Sequence, residues 1–129
     1  MRVRLIDPHA PTWSAELDRI GLRLRERDAA TLFPYHFLQV TLPRIGGCAA
    51  WIEEDGTRIG AGFIFPRQRD RGGAHVFTMR YHFFRGIPVP PREELAEATR
   101  DAMAGQDVFV YDPSAMQAYA STHKSYGPV

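Results

Sequence analysis

"AHVFTMRYHFFRGIPVPPREELAEATRDAMAGQDVFVYD" occupies residues 74–112, and its changes of pattern decide the fold. Up to Phe84 the run is aromatic and alternating. Phe77, Met79, Tyr81 and Phe83 share one side, and Thr78, Arg80, His82 and Phe84 share the other, which is the period of a β-strand. Residues 91–105 switch to a helical period. Pro91 suits a first turn, Glu93 and Glu94 suit the positive end, and Gly105 is placed to stop the helix. Leu95, Ala98, Ala102 and Met103 make a narrow apolar stripe along it. "DVFVYD", residues 107–112, reads as a short strand of the buried, parallel kind. A strand, a helical crossover and a second strand imply that the last strand lies parallel to its neighbour, by the right-handed rule.

The link between the first strand and the helix is unusual in composition. A strand feeding a helix is a common position for a phosphate-binding loop, which needs glycines and free backbone N–H groups. This link has one glycine, Gly86, and three prolines, Pro88, Pro90 and Pro91.

Upstream, "CAAWIEEDGTRIGAGFIFP" has two apolar runs around Asp55-Gly56, a pair suited to the positive φ angles of a tight hairpin turn. Gly60 and Gly62 lie on one face of the second run and predict a close approach there by a helix, a bulge or a ligand. "RVRLID", residues 2–7, alternates as a short strand. From Thr12, Trp13, Leu17, Ile20 and Leu24 recur at helical spacing, with Glu16 in the first turn. Residues 30–47 are apolar but broken by Pro34 and Pro43, so they predict a short helix or turn followed by irregular chain. "RQRDRGG", residues 67–73, reads as a polar loop. Beyond the last strand, Asp112 and Pro113 open a final helix, "PSAMQAYAST".

The expected fold is therefore a single α/β (α+β) domain over residues 1–129. It has a mixed, mainly antiparallel sheet flanked by helices, in the order β-α-(α)-β-β-β-α-β-α. A chain of 129 residues with 44% hydrophobic and 24% charged residues can bury one core of this kind. The formal net charge of +1 does not argue for nucleic acid or an anionic membrane as the main partner; nucleic acid is not the expected partner and no membrane is expected. One cysteine, Cys48, allows no internal disulfide. No apolar run reaches the ~20 residues of a membrane span, and the N-terminal residues lack a secretory signal core. These features together read as a soluble, cytoplasmic protein.

The element order resembles that of the GNAT superfamily, the GCN5-related N-acyltransferases, over nearly the whole chain. "AAWIEEDGTRIGAGFIFPR" looks like the family's β2–β3 hairpin. "SAMQAYASTHKSYGPV" looks like its fourth-helix region, with Ala115 or Ala118, Tyr119, Lys124 and Gly127 in the expected sequence of residue types. The resemblance implies acetyl-CoA as cofactor and Tyr119 as the acid that protonates the departing CoA thiolate. It also implies that Arg85, Gly86 and Arg92 occupy the cofactor-binding stretch. The chain departs from the family there. The usual Gln/Arg-x-x-Gly-x-Gly/Ala, whose amides bind the pyrophosphate, is replaced by "RGIPVPPREE". Proline has no N–H to donate, and Glu93 and Glu94 place negative charge where a pyrophosphate would sit. The chain also stops near where the family's last two strands would begin.

Three functional expectations follow. The first is a degenerate GNAT-like module, non-catalytic, that pairs with a second copy or another GNAT-like domain. The second is an active acyl-CoA-dependent N-acyltransferase on a small amine, with Tyr119 as acid and His82 as base. The third is a small-ligand or RNA-contacting module using Arg67, Arg69 and Arg71, disfavoured because that loop has no aromatic residue for base stacking. His36 is a second candidate base. His75 and His82 lie an odd number of positions apart on one strand, so they face opposite ways and cannot share a metal; no metal site is expected. Each candidate also has an ordinary reading. Tyr119 fits the core side of a short helix, single histidines are commonly structural, and Cys48 has no adjacent base and reads as a core residue.

Overall fold

The computed structural model describes residues 1–27, 35–66 and 77–112. The elements run β1 (Arg2–Ile6), α1 (Trp13–Arg27), α2 (Tyr35–Ile45), β2 (Cys48–Glu54), β3 (Thr57–Pro66), β4 (Phe77–Phe83), α3 (Arg92–Ala102) and β5 (Val108–Tyr111). They form a mixed α+β domain with a five-stranded sheet in the order β1-β2-β3-β4-β5. β1 to β4 are antiparallel, and β5, reached through α3, runs parallel to β4. This layout agrees with the expected GNAT-like order as far as β5. The fourth helix and the 67–73 loop lie outside the described residues.

Alternation distributes the core onto both faces of the sheet. Trp51, Ala61, Phe63 and Phe84 meet Trp13, Leu17, Ile20 and Leu24 of α1 and Leu38 and Leu42 of α2. Val3, Ile52, Ile64, Met79, Tyr81 and Phe83 meet Leu95 of α3. The polar-aromatic face expected on β4 is therefore no open surface: His82 and Phe84 are buried on the α1/α2 side. The Asp55-Gly56 turn forms as expected, with φ of 51° and 78° and Glu54 paired to Thr57. The close approach expected at Gly60 is made by the neighbouring strand. A Cβ there would lie 2.6 Å from the His82 carbonyl oxygen.

The chain before β2 corrects the sequence reading. Residues 35–45 are one continuous helix that contains Pro43. Proline cannot donate to the carbonyl four residues back, which is that of Gln39. That carbonyl instead accepts the indole N–H of Trp13 at 2.8 Å. The acceptor freed by the proline thus ties α2 to α1, and the helix continues because the lost bond is replaced from outside. It ends at Gly46, φ 78°, where the Gly47 N–H reaches the Leu42 carbonyl at 2.9 Å.

Candidate functional site

The parallel pair β4–β5 ends unevenly. Its last partners are Arg80 and Tyr111, while β4 continues to Phe83. The Phe77 N–H bonds to the Asp107 carbonyl, so the main chain of odd-numbered β4 residues faces β5. In this phase the Arg80–Tyr111 pairing uses the Tyr81 N–H, which donates to the Tyr111 carbonyl. The Tyr81 carbonyl and the N–H and C=O groups of Phe83 face the space beyond the end of β5, where no described strand pairs with them. Their rings form an edge-to-face pair at 5.6 Å on the α3 side. Burial pushes the Tyr81 hydroxyl above its ordinary pKa and Asp112 pushes the same way, while Arg92 opposes both.

The link to α3 borders this space. The Ile87 N–H bonds to the Phe84 carbonyl at 3.1 Å and closes a turn around Arg85 and Gly86. Gly86, at φ 81°, supplies the positive angle that the third position of such a turn requires. Arg85 is exposed. Residues 84–91 include three prolines without an N–H, and the N–H groups of Phe84 and Ile87 are spent on Ile59 and Phe84 carbonyls. Within residues 84–91 that leaves the amides of Arg85, Gly86 and Val89, followed by those of Arg92 and Glu93 in the first turn of α3. The Pro91 carbonyl takes the N–H groups of Glu94 and Leu95 at 3.1 and 3.3 Å, and no side chain caps the helix.

Arg92 turns away from that helix start. Its Nε donates to the Val110 carbonyl at 2.8 Å, and its guanidinium lies over the Phe109 ring at 4.5 Å. In the parallel ladder Phe109 faces β4, so the Val110 carbonyl points to the outer edge of β5. Arg92 thus covers part of that edge. Tyr81, Arg92 and Asp112 converge at this end of the sheet. His82, 3% exposed, points to the opposite face beside Ala61. Tyr119 lies outside the described residues, and so do Arg67, Arg69, Arg71, His75 and the side chain of His36.

A second polar cluster, unseen in the sequence, lies on the α1 face. Glu16 accepts the Trp51 indole N–H at 2.6 Å and an Arg19 N–H at 3.1 Å, with Arg58 at 3.8 Å. Arg58 stacks on Trp51 at 4.0 Å, and Arg23 stacks on Phe84 at 4.1 Å. Trp51 and Phe84 meet edge-to-face at 6.2 Å. Helical and strand spacing identify Glu16 and Trp51 only as a first-turn acid and an apolar strand residue. Their meeting needs the packing of α1 on β2, which no local pattern encodes.

Among the described residues no group of three or more His, Cys, Asp or Glu side chains could hold a metal ion, and no helix is long and apolar enough to cross a membrane. Burial pushes the Cys48 thiol from 9.0 up to about 11, so it carries almost no thiolate at neutral pH. The sign gives a testable limit. A pKa raised in the folded state favours folding below the unfolded value and is lost as pH rises from about 9 to about 11. We expect wild type to lose about 2 kcal/mol more than Cys48→Ala across that window, read from urea unfolding at each pH. Parallel pH profiles for the two proteins would show that Cys48 does not titrate differently on folding.

No family model matches the chain, and no curated protein matches it. Among solved structures, the chain is similar to a crystal structure of ribosomal-protein-alanine N-acetyltransferase from Brucella melitensis. The identity is 18%, the TM-score 0.47, and the match covers 98% of this chain and 83% of that one. It is also similar to the ribosomal-protein-alanine N-acetyltransferase from Brucella melitensis biovar Abortus 2308. There the identity is 15%, the TM-score 0.48, and the coverage 100% of this chain and 91% of that one.

Proposed function

We propose that this chain is a GNAT-like domain degenerate in acyl-CoA binding, acting as a non-catalytic module that pairs with a second copy or with another GNAT-like domain. The observation that carries this reading is the small number of amides in residues 84–91. A pyrophosphate cradle needs several convergent N–H donors. Here three positions are proline, two N–H groups are already bonded, and Glu93 and Glu94 stand at the helix start. Arg92, the basic residue nearest that start, is engaged by the Val110 carbonyl and the Phe109 ring. The residues present do not fit the phosphate end of the cofactor.

A second reading, an active acyl-CoA-dependent N-acyltransferase on a small amine, is favoured by one feature. Among the described residues the Tyr81 carbonyl and the main chain of Phe83 have no strand partner beyond β5, and an extended ligand arm bearing amides could bond there as a strand does. In that reading Tyr119 is the acid, His82 the base, and Arg85, Gly86 and Arg92 border the cofactor.

Thermal unfolding with millimolar acetyl-CoA, beside free CoA, separates the two. The degenerate module keeps its melting temperature. A ligand at ~100 times its dissociation constant adds about 2.7 kcal/mol, which moves a domain of this size by several degrees. Such a shift would overturn the first reading, and the second would then require Tyr119→Phe to lower turnover.

A further inference from the structure

The two edges of the sheet differ. On β5 the outward carbonyl of Val110 is covered by Arg92. At the other edge, β1 borders a cleft of about 450 Å³ between itself and α3. Val3, Leu5, Ala98 and Ala102 line it together with Met1 and the charged residues Arg2, Arg4 and Asp101. Alanines at 98 and 102, one helical turn apart, keep α3 slim where it passes β1.

The ladder determines what β1 offers. Main-chain directions alternate, so the orientation set by Phe77 and Asp107 carries across the sheet through the observed pairings. Even-numbered residues of β1 face β2, and the N–H and C=O groups of Val3 and Leu5 face outward. The same two residues turn their side chains to the α3 face. Val3 is buried and Leu5 is 38% exposed, so the uncovered part is centred on Leu5. Arg2 and Arg4 stand on the other face, both exposed, and Arg4 is held by Glu53 at 3.2 Å.

We propose that this edge binds an extended peptide segment by strand addition, and that the segment alternates apolar with acidic residues. An added strand would place alternate side chains on the two faces. Those on the α3 face enter the cleft against the apolar side chains of Leu5, Ala98 and Ala102. Those on the other face lie beside Arg2 and Arg4, where a carboxylate is attracted and an ammonium repelled. The same charges disfavour a second copy of this chain as occupant. Antiparallel pairing of two β1 strands through Val3 and Leu5 sets Arg4 opposite its own copy. The proposal is independent of the reading of the β4–β5 end.

The test is fluorescence anisotropy with two labelled heptapeptides, one alternating valine with glutamate and the other valine with lysine. The glutamate peptide should bind, more weakly as salt rises, and the lysine peptide should bind about tenfold more weakly or worse. Leu5→Pro removes an outward N–H without touching a β1–β2 bond and should abolish binding, with the melting curve showing that the domain still folds. Ala102→Leu, which fills the cleft, is the second variant and should weaken binding while leaving the main-chain edge intact. Equal affinity for both peptides, no binding by either at 1 mM, or a wild-type dimer in sedimentation that Leu5→Pro dissociates would each overturn the proposal.

Discussion

Trp51→Ala should destabilise the domain by about 3–5 kcal/mol, the range for losing a large buried ring from a core that closes only partly around the space. Trp51 is 1% exposed at the middle of β2. It supports three contacts at once: Phe84 at its edge, the Arg58 guanidinium on its face, and Glu16 at its N–H. Trp51→Phe separates the contributions. A phenyl ring keeps much of the packing but cannot donate to Glu16. Glu16 retains Arg19 at 3.1 Å and Arg58 at 3.8 Å, so the loss should fall to about 1–2 kcal/mol. Urea unfolding of both variants checks this. A cost for Trp51→Ala below about 1 kcal/mol would be incompatible with a ring at the centre of the α1 face.

The second large effect belongs to Trp13. Trp13→Ala should also cost about 3–5 kcal/mol, since the side chain is buried between α1 and the sheet. The more informative change is Trp13→Phe, expected at about 1–3 kcal/mol because it leaves the Gln39 carbonyl without its donor. The structure ties that cost to Pro43. In a Pro43→Ala background the new backbone N–H at position 43 can reach the Gln39 carbonyl as in any helix. The penalty of Trp13→Phe should then shrink by about 1 kcal/mol, a coupling that a double-mutant cycle measures directly. Identical penalties in both backgrounds would mean that the two residues do not share this carbonyl.

The Pro43 result shows why residues 35–45 misled a local reading. A proline in an apolar run ordinarily marks a break, because its missing N–H leaves a carbonyl orphaned. Here the donor that removes the cost lies thirty residues earlier, on another helix. The candidate site divides in the same way. The proline link, Gly86, Arg85 and the acidic start of α3 are legible because each is a local property of backbone or charge. That Arg92 bends back to the β5 edge, and that Tyr81 meets Asp112 and Arg92, depends on where β5 stops relative to β4. Strand length in a parallel pair is set by what packs around it, and periodicity does not carry it.

The continuous α2 was not legible from the residues alone, while the five strands, α1 and α3 in their order, the Asp55-Gly56 hairpin and the parallel return through α3 were. These follow from residue period, turn chemistry and the handedness of crossovers, all short-range or topological rules. Tertiary structure alone decided which face of each strand is covered. The run through β4 alternates an apolar-aromatic set with a mixed polar set, and either could have faced solvent. Met79, Tyr81 and Phe83 are buried because α3 packs on one side, and His82 and Phe84 because α1 and α2 pack on the other. It also decided that Arg92 bonds one outward carbonyl of the β5 edge while β1 borders a cleft. A sheet edge becomes a surface only when its neighbours are known, since the same N–H and C=O groups are ladder bonds in the interior and unpaired donors and acceptors at the rim.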